Sequence, residues 1–156
     1  SDLYFTDQYE LAEDQLQQTL EMDPDFWLTH SYLGETYLEK GANKKAIMHL
    51  EKALALAPDN YTALSRLGYG YGRVGEEKKA REILARLKQA LKSGRSFSFQ
   101  ISLIYVTLND SDSAIMYLKE AMDAKHDYIL DLKTDPKLDP LRSDVRFRDI
   151  LQTLNL

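Results

Sequence analysis

Apolar and small residues recur along the chain at a fixed interval of 34 positions. The recurring residues are four alanines, four leucines and three tyrosines: Ala12, Ala46, Ala80 and Ala114; Leu16, Leu50, Leu84 and Leu118; Tyr37, Tyr71 and Tyr105. Leu33-Gly34 and Leu67-Gly68 precede two of the tyrosines, and Ile101-Ser102 precedes the third. Self-similarity at a period of about 20–50 residues is the sequence signature of proteins built from stacked repeats. The pattern therefore predicts a repeat array.

Each interval contains two stretches in which apolar residues follow helical spacing, which predicts a pair of helices. The predicted pairs cover about residues 26–39 and 44–56, and about residues 61–74 and 76–91. The turn positions are Asp7, Gly41, Gly75 and Asn109, and these residue types tolerate the left-handed backbone that a tight turn requires. We interpret residues 2–6 as the last turn of a helix that ends before Asp7. The chain is thus predicted to be all-α.

Small residues at fixed repeat positions have a packing reason. Gly34 and Gly68 allow the first helix of a pair to approach its partner closely, and the recurring alanines do so from the second helix. Larger side chains there would separate the helices and open voids. Residues 97–105 alternate between apolar and other positions, which taken alone favours a strand. The repeat frame predicts a helix instead, because Ile101 and Tyr105 fall on recurring core positions.

The period and its residues resemble the tetratricopeptide repeat, a helix–turn–helix unit of 34 residues. The resemblance rests on Leu33-Gly34 with Tyr37 and on Leu67-Gly68 with Tyr71, and it extends over about residues 7–126. It implies a right-handed superhelical stack of repeats that forms a single domain over residues 1–156. The expected parts are a partial repeat at 1–26, repeats at 27–60, 61–94 and 95–128, and a C-terminal cap at 129–156.

The repeat pattern ends after residue 122, and other signals organise the C-terminus. We predict a short helix at residues 127–133, breaks at Pro136 and Pro140, and a last helix with Asp144 as its N-cap. The expected apolar face of that helix consists of Val145, Phe147, Ile150, Leu151 and Leu154. Its expected role is to cover the last repeat. Residues 139–147 resemble the closing segment of repeat domains in bacterial signalling and regulatory proteins.

Composition excludes several functions. The net charge of −5 argues against nucleic acid or an anionic membrane as the main partner. No apolar run approaches the roughly 18 residues of a membrane span, and the absence of cysteine excludes disulfides and thiolate chemistry.

The chain enters the repeat frame partway through a unit, so we interpret it as a fragment of a longer protein. A cytoplasmic location is expected, and a periplasmic one stays open.

Three features invite a chemical interpretation. Gly70, Gly72 and Gly75 match the G-x-G-x-x-G dinucleotide fingerprint, but that fingerprint requires a preceding strand, and here it lies in a predicted helix. His30, His49 and His126 show no close pair at ligand spacing, so we interpret them as core or surface residues. The acidic residues 135–144 lack the pattern of a calcium loop and are interpreted as a solvated linker. We therefore predict no catalytic, cofactor-binding or metal-binding residue and no enzyme activity.

The resemblance implies that the first helix of each repeat lines a concave groove. The positions that it implies for binding are Ser31, Tyr32, Glu35, Glu39, Ser65, Arg66, Tyr69, Arg73, Phe99, Gln100, Leu103 and Thr107. The lysine and asparagine with which some relatives hold a terminal carboxylate are absent. The groove is expected to be acidic, then basic, then apolar from the second repeat to the fourth. The alternative is that these positions are merely solvated helix faces.

Two functions remain open from the sequence. In the first, the groove binds a peptide or partner protein, and Arg66 and Arg73 hold a carboxylate beside Tyr69. Alternatively, the two arginines pair with Glu35 and Glu39 of the neighbouring helix. In the second function, the chain is a regulatory or oligomerising domain of a larger signalling or transcription-regulating protein and packs against its own N-terminal part. Self-association is expected through an apolar N-terminal face formed by Leu3, Phe5, Leu11 and Leu16.

Overall fold

The computed structural model describes the backbone of residues 2–124 and 132–155 and the side chains of residues 7–124 and 132–155. In chain order, the α-helices are α1 (Asp2–Met22), α2 (Trp27–Glu39), α3 (Asn43–Leu56), α4 (Tyr61–Arg73), α5 (Glu77–Lys92), α6 (Ser98–Thr107), α7 (Ser111–Asp123) and α8 (Val145–Thr153), with a 3₁₀ helix at Pro136–Leu141 before α8. The described residues contain no strand. The all-α, helix–turn–helix prediction is therefore confirmed, including the helix predicted over the alternating residues 97–105.

The chain forms two compact units, Ser1–Glu76 and Glu77–Leu156, which we call the N-terminal and C-terminal units. The division falls between α4 and α5, inside the predicted repeat 61–94. The superhelical arrangement and the repeat boundaries stay predictions.

Three of the four predicted turn residues adopt the left-handed backbone. The φ angles of Gly41, Gly75 and Asn109 are 73°, 81° and 57°. Asp7 does not, because α1 runs without interruption from Asp2 to Met22. The predicted break at Asp7, with a separate helix ending at residue 6, is therefore wrong. Aspartate costs little inside a helix compared with glycine, so its turn tendency did not decide the local structure.

The core of the N-terminal unit is built around a close contact between α2 and α3. A Cβ atom placed on Gly34 would lie 2.4 Å from Cγ of Leu50, so only glycine fits at this approach. Ala46 and Leu50 are fully buried beside it. α4 packs against both α3 and α2, where a Cβ on Gly70 would lie 3.3 Å from Ile47 of α3 and 3.5 Å from Leu38 of α2. The prediction for Gly34 is confirmed, and that for Gly68 stays a prediction.

α1 packs against α2 less completely than the later helices pack against each other. Ala12 and Leu16 are only half-buried, whereas their repeat equivalents Ala46 and Leu50 are fully buried. Leu11 is 61% exposed. Leu3 and Phe5 have side chains outside the described part of the chain, so the predicted apolar face is described only in part.

The C-terminal unit pairs α6 with α7 and closes with the 3₁₀ helix and α8. Asp144 caps α8, because its carboxylate accepts a hydrogen bond of 2.9 Å from the backbone N–H of Arg146. Phe147 and Ile150 are buried as predicted, and Leu151 is half-buried. Val145 is 60% exposed, so its placement on the apolar face was wrong.

The segment before α8 is not a solvated linker. Pro136 and Pro140 lie within the 3₁₀ helix and do not break the chain. Leu138 and Leu141 of this helix are fully buried, and the helix packs against α6. The short helix predicted at residues 127–133 lies almost wholly outside the described residues.

Candidate partner-binding surface

The predicted binding positions of the N-terminal unit lie on α2 and α4, two helices in direct contact. Tyr32 is 45% exposed, and Glu35 and Arg66 are partly exposed. Ser31 and Ser65 are buried, so their side chains support this surface from below. We call the face formed by Tyr32, Glu35, Arg66, Tyr69 and Arg73 the α2/α4 surface.

Arg66 joins the two helices of this surface. Its guanidinium donates hydrogen bonds of 2.9 Å to Oγ of Ser31 and 2.7 Å to Oε2 of Glu35. It also lies 5.9 Å from the ring centre of Tyr32, at the distance of a cation–π contact. Of the two interpretations that the sequence left open for Arg66, the structure contains the pair with Glu35. The charge of Arg66 is therefore already balanced within the protein.

The remaining positions on α2 and α4 differ in exposure. Arg73 occupies the last turn of α4 and is exposed, while Tyr69 and Glu39 are half-buried. Ser65 donates a hydrogen bond of 2.9 Å to the carbonyl oxygen of Thr62, one turn earlier. Arg73 is thus the arginine of this surface that is most open to solvent.

The predicted positions of the C-terminal unit all lie on α6. Phe99 is only 6% exposed, and the structure therefore places its ring in the core of that unit. Gln100, Leu103 and Thr107 are half-buried. The hydroxyl of Thr107 donates a 2.6 Å hydrogen bond to the carbonyl oxygen of Ile104. Phe99 therefore contributes little to the apolar part of the groove that was expected at the fourth repeat.

The glycine fingerprint has no nucleotide-binding geometry. Gly70 and Gly72 lie inside α4, and Gly75 occupies the turn that follows. Because Gly70 and Gly72 lie inside a helix, their backbone amides donate helical hydrogen bonds and are not available to a pyrophosphate. The fingerprint also requires a preceding strand, and no strand precedes these glycines in the described residues.

A histidine pair that the sequence interpretation missed lies inside the N-terminal unit. Nδ1 of His30, on α2, is 3.1 Å from Nδ1 of His49, on α3, and both side chains are buried. His30 and His49 are therefore core residues, one of the two placements that the sequence left open, but their spacing along the chain did not indicate that the rings meet. The predicted pairing of helices 26–39 and 44–56 indicated that the two helices pack together, but it did not indicate which of their residues meet. The described residues contain no group of three or more histidine, cysteine, aspartate or glutamate side chains placed to hold a metal, and this pair is not part of one.

Around the histidine pair, a polar network connects α1 with α2. The hydroxyl of Tyr37 donates a 2.7 Å hydrogen bond to Oε1 of Glu13, and Lys40 forms an ion pair with the same carboxylate. These hydrogen bonds, first from Lys40 and then from Tyr37, lower the pKa of Glu13 below its ordinary value. Burial and the contact with Glu13 raise the pKa of Tyr37. The carboxylate therefore remains charged as it fixes α1 to α2.

A family model of the tetratricopeptide repeat matches residues 5–133, and the chain belongs to this family. Repeats of this family are generally protein–protein interaction modules. The chain is also similar to anaphase-promoting complex subunit 3 of Schizosaccharomyces pombe, with 23% identity over 114 residues that cover 73% of this chain and 17% of that protein. The chain thus spans less than a fifth of the curated relative that it matches. Both similarities point to a non-catalytic repeat scaffold.

No helix among the described residues combines the length and apolar character needed to cross a membrane.

Proposed function

We propose that the chain is a non-catalytic interaction module and that its α2/α4 surface binds an extended or helical segment of a partner protein. The observation that carries this proposal is the exposed ring of Tyr32 beside the fixed guanidinium of Arg66. Aromatic rings and arginines are the side chains most enriched where interfaces concentrate binding energy. A ring that is already oriented by its neighbours loses little conformational entropy when a partner covers it.

The pairing of Arg66 determines what kind of segment fits. Because Glu35 and Ser31 already satisfy its guanidinium, a partner carboxylate would have to displace an existing ion pair there. Arg73 is exposed, so it is the better site for an acidic group. The segment we propose therefore carries an apolar side chain for Tyr32 and a carboxylate for Arg73. In the C-terminal unit, Gln100, Leu103 and Thr107 remain proposed contacts, whereas the buried Phe99 supports them from the core.

The test is selection from a random peptide-display library against the whole chain, followed by affinity measurement on synthetic copies of the enriched peptides. We expect enriched sequences to combine an acidic residue with an apolar one. Tyr32→Ala and Arg73→Ala should each weaken binding about tenfold, which corresponds to about 1.4 kcal/mol, while circular dichroism and the melting temperature remain close to wild type.

Met48→Ala is the matched control, because Met48 is an exposed apolar residue on α3 and not on the proposed surface. Equal affinity of the enriched peptides for wild type and for Tyr32→Ala would contradict binding at the α2/α4 surface.

A regulatory or oligomerising role is the second candidate. Its support is the exposed Leu11 on α1, together with Met22 at the end of the same helix. The relative is by name a subunit of a complex, which also agrees with a role in assembly. If the library yields no peptide, this candidate predicts concentration-dependent self-association in sedimentation velocity. The bacterial signalling context and the cytoplasmic location remain predictions.

A further inference from the structure

The tautomers of the His30–His49 pair follow from one backbone contact. Nε2 of His30 lies 2.8 Å from the carbonyl oxygen of Pro24, in the connection between α1 and α2. A carbonyl oxygen only accepts hydrogen bonds, so Nε2 carries a hydrogen. In a neutral ring the other nitrogen, Nδ1, then has a free lone pair. The facing Nδ1 of His49, 3.1 Å away, must donate to it.

This geometry accepts one extra proton but not two. A first proton on Nε2 of His49 leaves the bond between the rings intact, because Nδ1 of His49 still donates. A second proton must enter at Nδ1 of His30. Two N–H groups would then face each other without an acceptor, on two rings of like charge. The hydrogen bond between the two rings is lost in that state.

Charged groups on the surrounding helices raise or lower the pKa of His49, depending on their sign. Burial and then the neighbouring His30 lower its pKa, Glu13 of α1 raises it, and Lys45 of α3 lowers it, with a net shift below the ordinary value. On α2, Tyr37 stacks on the His49 ring at 5.5 Å. Lys40, the residue that follows α2, is paired with Glu13. From α4, Tyr71 reaches α3 at Glu51, two residues further along the helix.

We propose that the His30–His49 pair is a pH-sensitive contact within the N-terminal unit. When both rings become charged, the packing of α3 on α2 loosens. The direction follows from proton linkage. A histidine whose pKa is lowered by folding contributes stability above its ordinary pKa of about 6.5, and this contribution is lost as the pH falls below that value. The C-terminal unit has Ser98 and Tyr117 at the equivalent repeat positions and therefore carries no histidine at either of them.

The test is hydrogen exchange of the whole chain at pH 7.5 and pH 5.5, corrected for the intrinsic pH dependence of amide exchange. If local opening takes up one proton net, its equilibrium constant should rise about tenfold between these pH values. We expect this rise in peptides from α2 and α3. Peptides from α6 and α7 provide the control within the same molecule and should not change.

The matched variant is the double substitution His30→Ser and His49→Tyr, which installs the residues of the C-terminal unit. It should abolish the pH dependence of exchange in α2 and α3. An independent measurement on the wild-type chain is nitrogen-15 NMR of the imidazoles, which should find Nε2 of His30 and Nδ1 of His49 protonated at pH 7.5 and a lowered pKa for His49. Corrected exchange in α2 and α3 that is equal at both pH values, or that responds to pH as strongly in the double variant, would overturn the proposal.

Discussion

Two aromatic stacks, one in each unit, occupy the same positions of the repeat. Tyr37 stacks on His49 with ring centres 5.5 Å apart and an angle of 21°, and Tyr105 stacks on Tyr117 at 5.7 Å and 14°. The members of each stack are two repeat periods from their counterparts. The repeat frame therefore fixes where two rings meet, although it does not fix which rings they are.

The polar partners of the two stacks are opposite in charge. The hydroxyl of Tyr37 donates to the carboxylate of Glu13, whereas that of Tyr105 accepts a hydrogen bond from Lys88. Lys88 also lies over both rings of its stack, 5.0 Å from Tyr105 and 5.6 Å from Tyr117. Burial acts to lower the pKa of Lys88, but the hydrogen bond with Tyr105 and the electrostatic interactions with Tyr105 and Tyr117 together raise it above its ordinary value. Two aromatic stacks at the same repeat positions can therefore differ in how their hydrogen bonds respond to pH.

The largest difference between the units should appear at their outer helices. Phe147 of α8 is fully buried, so Phe147→Ala should lower the free energy of unfolding by about 3–5 kcal/mol. Leu11 of α1 is mostly exposed, and Leu11→Ala should change it by less than about 0.5 kcal/mol. Urea unfolding followed by circular dichroism measures both. A small effect at Phe147 would mean that α8 is an accessory to the C-terminal unit and not its cap.

A smaller difference is expected at the close helix contact. Gly34→Ser places a side chain against Leu50 and should destabilise by about 1–3 kcal/mol. The equivalent residue Ser102 is fully buried and donates a 2.6 Å hydrogen bond to the carbonyl oxygen of Phe99. Ser102→Gly should cost about 1 kcal/mol through greater backbone freedom of the unfolded chain.

Trp27, the single tryptophan, lies in α2 and reports unfolding of the N-terminal unit by fluorescence. Gly70→Ser is the control for Gly34→Ser, because its Cβ would be 3.3 Å from the nearest side-chain atom, compared with 2.4 Å at Gly34, so a smaller shift of the neighbouring side chain accommodates it. Similar destabilisation by both glycine substitutions would show that the contact with Leu50 is not special.

The smallest difference between the units at neutral pH should come from the tyrosine hydroxyls, and lowering the pH separates them. Tyr37→Phe and Tyr105→Phe should each cost about 1.5 kcal/mol at pH 7, since each hydroxyl bonds to a charged group and both contacts are only partly buried. The lowered pKa of Glu13 means that its contribution is present above the ordinary glutamate value and is lost as the pH falls through the lowered one. Acid titration of each variant against wild type should therefore reduce the cost of Tyr37→Phe, because a neutral carboxyl accepts a weaker hydrogen bond, and leave that of Tyr105→Phe unchanged. Parallel pH profiles for the two variants would contradict the assignment of opposite partners.

Local signals in the sequence predicted most of the helices. The 34-residue period located α2 to α7. Turns were predicted at Gly41, Gly75 and Asn109 because these residue types adopt a positive φ at low cost, and all three do so. The same reasoning failed at Asp7, because aspartate is compatible with both a turn and a helix interior. It also failed before α8, where prolines were interpreted as breaks although a 3₁₀ helix accommodates them.

The candidate site was predicted in part. The helix faces that carry Tyr32 and Arg66 follow from the repeat frame, and the sequence offered the Arg66–Glu35 pair as one of two alternatives. The burial of Phe99 was not predicted, because it depends on how α6 is rotated against its neighbours. The position of a residue in the 34-residue repeat specifies its place along a helix. The rotation of the helix about its axis decides whether that residue faces solvent or the core.

The sequence by itself thus determined the family, the helical pairs and the positions at which small residues allow close approach, since these depend on spacing along one chain segment. Only the tertiary structure decided that His30 meets His49 and that Glu13 holds Tyr37. Such contacts join helices whose relative register is set by the packing of the whole core, to which many side chains contribute at once. Residues 19 and 24 positions apart, as these are, have no local signal that reports their distance in space.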